Sequence, residues 1–200
     1  MIRRPPRSTQ GVSSAASDVY KRQVSRGARD QDGNDVEELV YEGYGPGGVA
    51  ILVEAMTDNK NRTVAEVRHA FTKHGGNLGT DGSVDYLFDR RGLISFAPGA
   101  DEDEVMDIAL EVGAEDVEGD DEGALTVVTT FESFGSVVDA FRARNIEPGH
   151  AEVAMVPSST SECNADTAEK VLLLIDVLED LDDVQNVYSN GDFPDSVLAL

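Results

Sequence analysis

The chain has 200 residues, enough for one or two small domains, and 40% of them are hydrophobic, so a packed core is within reach. It has no apolar run long enough to span a bilayer, and a single cysteine, Cys163, excludes an intramolecular disulfide and fits a reducing compartment. The net charge of −23 is unevenly spread: residues 1–29 carry seven basic groups against one acid, and the rest carry nine against 38. So acidic a surface repels a phosphate backbone at long range, and any nucleic-acid contact must come from a local basic patch, from a missing piece, or through a protein partner.

Residues 1–23, MIRRPPRSTQGVSSAASDVYKRQ, show neither helical nor strand periodicity and lack the apolar stretch of a secretory leader. They resemble the in-frame translation of sequencing-adapter DNA, with a transit peptide as the alternative. They are expected to be disordered, with 24–35 a remnant or linker. Asp30–Asp35 begins like a calcium loop, but Asp35 stands where glycine is required and Tyr41 where a bidentate glutamate is required, so it is rejected.

Val36–Tyr41 and Val49–Met56 read as strands joined by a turn over Gly43–Gly48, a hairpin. Gly43, Gly45 and Gly48 satisfy the spacing of a dinucleotide-binding loop. That loop needs a helix after it to meet the pyrophosphate, and here a strand follows. Thr63 with Glu66 has capping-box spacing, and Val64, Val67 and Phe71 give the apolar face of a helix over 63–74. Gly75-Gly76 ends it, and a glycine-rich loop runs to Gly82. The alternation of Val84, Tyr86 and Phe88 predicts a strand.

Downstream, Leu93–Phe96 reads as a strand, followed by a helix capped by Asp101 with Val105, Ile108, Ala109 and Val112 inward. Strands are expected at Ala114–Glu118 and Leu125–Thr129, a helix with Phe134, Val137, Val138 and Phe141 inward, and a strand at Ala151–Val156. The order βαββαβ is the ferredoxin-like split unit. A Ser/Thr-rich linker then leads to a helix capped by Asp166 and Glu169, with Ala168, Val171, Leu172, Ile175 and Leu178 inward, and a strand at Val184–Tyr188. A lone helix and strand must complete the first unit. The fold class is therefore α+β, two α/β sandwich domains with antiparallel sheets. A ferredoxin-like domain, 96–156, is inserted in a domain formed by 36–95 plus 157–200.

No catalytic constellation emerges. The histidines His69, His74 and His150 are scattered, no serine has a nucleophile-elbow setting, and Cys163 reads as a buried, inert thiol. The chain is expected not to be an enzyme, with no cofactor, no metal, no small-molecule substrate and no membrane partner. Six of the nine basic groups after residue 29 fall between Lys60 and Arg91. On the helix, Arg62, His69 and Lys73 share the face opposite Val64, Val67 and Phe71, and Arg68 flanks the apolar stripe. With Lys60 they form the candidate nucleic-acid-binding set, for positioning phosphates rather than reading bases. The loop Gly75–Gly82 is a candidate source of free backbone N–H groups for an anion. An ordinary solvated helix face is the competing reading.

Tyr41-Glu42-Gly43-Tyr44-Gly45-Pro46-Gly47-Gly48-Val49-Ala50 closely resembles the YebC/PmpR family, the probable transcriptional regulatory proteins. So do Asp58–Phe71 and Lys73-His74-Gly75-Gly76-Asn77-Leu78-Gly79, and Val187-Tyr188-Ser189-Asn190 with Pro194-Asp195 resembles its closing strand and tail. The resemblance runs from about Val36 to Leu200. It implies a cytoplasmic three-domain protein: a helical first domain and two α/β domains, one inserted in the other. Bacterial members are described as DNA-binding transcriptional regulators. Others are similar to translation factors acting on the ribosome, and a mitochondrial relative activates translation of a cytochrome oxidase subunit. The implied partners are DNA, or ribosomal or transfer RNA, with the ribosome as a further candidate. An acidic protein-interaction module is the remaining alternative. The basic first domain, which in the family opens with Gly-His-Ser-Lys-Trp, is expected to be missing here, with the adapter-like segment in its place.

Overall fold

The computed structural model describes residues 36–198, so the expectations for 1–35 lie outside the described residues. The described chain divides into two compact units: an inserted unit, 89–156, and a split unit, 36–88 with 157–198.

The split unit holds a four-stranded sheet in the order β3-β1-β2-β9. Its strands are β1 (Glu37–Tyr44), β2 (Ala50–Thr57), β3 (Asn77–Leu78) and β9 (Val184–Ser189). β1 is antiparallel to both β2 and β3, and β2 to β9. Helices α1 (Lys60–Lys73) and α4 (Ala165–Glu179) cover one face. Val49, Ile51 and Val53 at and along β2 meet Val67, Ala70 and Phe71 of α1 and Val171, Leu174 and Leu178 of α4. A two-stranded parallel pair, β8 (Ser161–Glu162) with β10 (Gly191–Asp192), and a short helix α5 (Asp195–Leu198) complete the unit. Cys163 is half-buried against this core, and burial together with the charge of Asp192 pushes its thiol pKa up, away from reactivity.

The inserted unit has the strand order β5-β6-β4-β7. Here β4 is Phe88–Phe96, β5 Asp116–Gly119, β6 Leu125–Thr130 and β7 His150–Pro157. With helices α2 (Glu102–Glu111) and α3 (Phe134–Ala143), the order along the chain is βαββαβ. Alternate residues of β4 and β6 (Ile94, Phe96, Leu125, Val127) pack against Val105 and Ile108 of α2 and Val137 and Phe141 of α3. The rings of Phe96 and Phe141 lie 4.9 Å apart and tilted, a favoured aromatic geometry.

Several elements depart from the sequence pattern. β4 begins at Phe88, so Asp89–Ser95, expected in the split unit, belong to the inserted sheet. α1 starts at Lys60, capped by Asn59, whose side chain accepts from the Arg62 N–H at 3.1 Å. Thr63 is no cap. It is fully buried in the first turn, because its hydroxyl has a long-range partner instead. α4 is likewise capped by Asn164, two residues ahead of the expected Asp166, and its core face takes in Leu174 while Leu172 and Ile175 are half-buried. The segment Val84–Leu87 is not a strand. Val84 and Phe88 are both buried while Tyr86 is 70% exposed, because Asp85–Leu87 make a 3₁₀ turn.

The β1 glycine at 43 is required by close approach. A Cβ there would sit 2.7 Å from the Asn77 carbonyl oxygen and 2.7 Å from a Phe71 ring carbon. Gly43→Ala is expected to cost about 1–3 kcal/mol through this overpacking, measured as a lower midpoint in urea unfolding with an unchanged slope.

Candidate nucleic-acid interface

The first turn of α1 is built around a carboxylate brought from the far end of the chain. Asp183, just ahead of β9, is 9% exposed and accepts from the Thr63 hydroxyl at 2.7 Å and the Thr57 hydroxyl at 3.1 Å. Arg62 reaches both of its oxygens through Nη2, at 2.8 and 3.0 Å, and Nη2 also bonds Asp58 at 3.1 Å. The Asp183 backbone carbonyl accepts from Met56 N–H at 2.7 Å. Burial alone would raise the Asp183 pKa. The bonds from Arg62, Thr63 and Thr57 outweigh it and hold the carboxyl below its ordinary value.

This geometry separates the five basic groups expected to act together. Arg62 is committed to Asp183 and Asp58. Lys60 pairs with Glu37 at 2.5 Å. Arg68, His69 and Lys73 are exposed, and among the described residues none of them is engaged by an ion pair or hydrogen bond. At about 100° per residue, His69 and Lys73 project together, and Arg68 points well to one side of them. Lys73 lies in the last turn, where a cation complements the helix dipole.

The loop after α1 does bind an anion, but one supplied by the chain itself. Tyr41 packs into the helix-side core and Gly43 abuts Phe71, so alternation sends Glu42 to the opposite face of the sheet. There its carboxylate, in a buried residue, accepts from the N–H of Gly82 at 2.6 Å, Val84 at 3.0 Å and Asp85 at 2.6 Å. The Gly79 N–H bonds the Glu42 carbonyl at 2.7 Å, and the Tyr44 hydroxyl donates to the Ser83 carbonyl at 2.9 Å. Burial pushes the Glu42 pKa up, and the backbone donors more than reverse it, leaving it lowered. The expected free N–H groups over Gly75–Gly82 are thus largely consumed. Gly75, Gly76, Gly79 and Gly82 all donate within the chain.

Sequence reasoning missed both carboxylates. Local sequence gives little sign of either: Glu42 stands beside strand glycines, and Asp183 closes the acidic run Glu179-Asp180-Leu181-Asp182-Asp183 directly before Val184. Among the described residues, no group of three or more His, Cys, Asp or Glu is placed to hold a metal ion, and no helix is long and apolar enough to cross a membrane.

A ferredoxin-like unit inserted into a second antiparallel α/β sandwich, with one helix presenting cations from an acidic body, defines a narrow class of two-unit α+β proteins. The chain belongs to the TACO1/YebC family, whose second and third domains match residues 36–191. It is 60% identical over 182 residues to the transcriptional regulatory protein PmpR of Pseudomonas aeruginosa, covering 91% of this chain and 73% of that one. A probable transcriptional regulatory protein of Proteus mirabilis is 55% identical over 197 residues, 96% of this chain and 78% of that one. The crystal structure of a conserved hypothetical protein from Aquifex aeolicus superposes with a TM-score of 0.76 at 41% identity, covering 90% of this chain and 77% of that chain.

The lowered Asp183 pKa fixes a sign. A carboxyl with a depressed folded-state pKa contributes stability above its unfolded value, about 4 for aspartate, and that contribution is lost as pH falls through the folded value. Asp183→Asn is expected to destabilise the protein at neutral pH, with the gap to the parent closing below about pH 4. Urea midpoints measured across that range check it.

Proposed function

We propose that the chain is a YebC-type regulator of gene expression, a DNA-binding transcriptional regulator working in the cytoplasm, and that the outer face of α1 is its contact with the phosphate backbone. The observation that carries this reading is the pair of exposed cations on α1, Arg68 and Lys73, with His69 beside Lys73, none of them partnered among the described residues, in a chain whose charge is otherwise strongly negative. Cations already neutralised by a carboxylate have little left to offer a phosphate, which sets Arg62 and Lys60 apart as groups that hold the helix in place. The name of PmpR, a transcriptional regulatory protein, supports the same reading.

Contacts of this kind are sequence-independent and salt-dependent. Each phosphate neutralised contributes about −0.9 to the slope of log K against log salt. Two or three such contacts imply a slope between about −2 and −3 and weak binding by this chain alone. An arrangement of separate side chains on one helix face positions a backbone and leaves base selection to other contacts.

The test is fluorescence anisotropy of a mixed-sequence DNA duplex titrated with protein at several salt concentrations. Lys73→Ala and Arg68→Ala are each expected to weaken binding and reduce the slope by about 0.9, with a much smaller effect on the melting midpoint than Arg62→Ala. Arg62→Ala is expected to lower the midpoint instead. Stronger binding to a stem-loop RNA than to the duplex, or co-sedimentation with ribosomes that these variants abolish, would overturn the DNA assignment in favour of a translation factor.

A further inference from the structure

The inserted unit carries 17 acidic and 4 basic residues, and its helix α2 has no basic residue at all. Charge alone assigns nothing to such a surface, since acids keep a protein soluble. One place in it has a different character. Leu110 is 68% exposed, on the side of α2 away from Val105, Ile108 and Ala109. Helical spacing puts Met106 one turn before it, and Asp103 and Asp107 beside the pair. Folding gives no reason for an exposed leucine there.

The surface next to Leu110 is also concave. Between α2 and the edge strand β5, Met106, Ala109, Leu110, Ala114 and Val117 line a depression of about 110 Å³, rimmed by Glu115 and Asp116. An apolar space of about 150 Å³ accepts a benzene molecule, so this one admits a single aliphatic side chain. Glu115 is already neutralised by Arg91, and Glu111, at the end of α2, by Arg144. Asp103, Asp107 and Asp116 make no ion pair among the described residues. The hollow is therefore a socket more apolar than polar, with unneutralised carboxylates around it.

We propose that this socket is a docking site for a cationic segment of a partner protein, with one aliphatic side chain seated against Met106, Leu110 and Val117 and lysine or arginine groups meeting Asp103, Asp107 and Asp116. Charge complementarity selects the occupant. A nucleic acid is repelled by the rim, and an acidic or neutral peptide leaves three carboxylates without partners. The apolar anchor supplies affinity, and the charges supply on-rate and register.

The rest of the molecule supplies a control. Leu173 on α4 is 52% exposed, with Glu169 and Asp176 but also Lys170 within one turn of it on the same helix, an exposed leucine in a less acidic setting. The experiment titrates the isotopically labelled protein with a synthetic amphipathic peptide of leucines and lysines at helical period, at near-physiological salt, and follows backbone amide shifts. Oligolysine of equal charge is the comparison. The proposal expects saturable shifts concentrated over residues 103–117, and weaker binding of oligolysine. It expects about tenfold weaker peptide binding for Leu110→Ser, from loss of the apolar wall the anchor packs against, and no change for Leu173→Ser. Asp103→Asn combined with Asp107→Asn is expected to weaken binding and flatten its salt dependence. The proposal is overturned if oligolysine binds as well as the peptide, if Leu110→Ser binds like the parent, or if the shifts are absent or scattered over the acidic surface. Both leucines are on the surface, so each variant is expected to keep the parent's spectrum elsewhere.

Discussion

The Asp183 carboxylate is where the split unit is tied together. The inserted unit separates α1 from β9 by more than a hundred residues, and closing so long a loop must be repaid by specific contacts. Asp183 supplies them in one place, accepting from Thr57 at the end of β2 and from Arg62 and Thr63 in the first turn of α1. The sheet register then follows, since β9 pairs with β2 and the Met56 N–H bonds the Asp183 carbonyl. A buried carboxylate is costly unless every lone pair is used. Here the charge is matched by one guanidinium and the remaining positions by hydroxyls. The rotation of α1 about its axis is set by this contact, and with it which cations face solvent.

Glu42 plays the corresponding part on the other face of the sheet. A loop of glycines and polar residues cannot bury itself against a strand without partners for its N–H groups. One carboxylate accepting from Gly82, Val84 and Asp85 folds the segment into a 3₁₀ turn and brings Val84 into the interior. The same donor geometry elsewhere serves external phosphates. In this protein an internal acid occupies it, which leaves the side chains of α1 as the cationic surface of the split unit nearest the loop.

How much of this is readable from sequence depends on the range of the interaction. The apolar periodicities of 105–112 and 134–141 placed α2 and α3, and alternation placed β6, because those signals are local and nothing long-range competes with them. The βαββαβ order carried the inserted fold for the same reason. Thr63 and Glu66 gave a convincing capping spacing that the protein does not use. Asn59 caps four residues earlier, freeing Thr63 to serve Asp183. Val84, Tyr86 and Phe88 alternate as a strand does, but the pull of Glu42 decides their backbone. The candidate interface was legible as a set of residue types. Its division into Arg62 and Lys60 on one side and Arg68, His69 and Lys73 on the other depended on Asp183 and Glu37, which no spacing rule connects to them.

The proposed contact of nucleic acid with the outer face of α1 depends on Asp183 holding that helix in place. Amide hydrogen exchange of the protein with and without a DNA duplex at low salt tests it most directly. The account expects added protection confined to the stretch from Glu66 to Gly76, with residues around Asp183 already protected and unchanged. Protection located in the inserted unit, or none at saturating duplex, would contradict it.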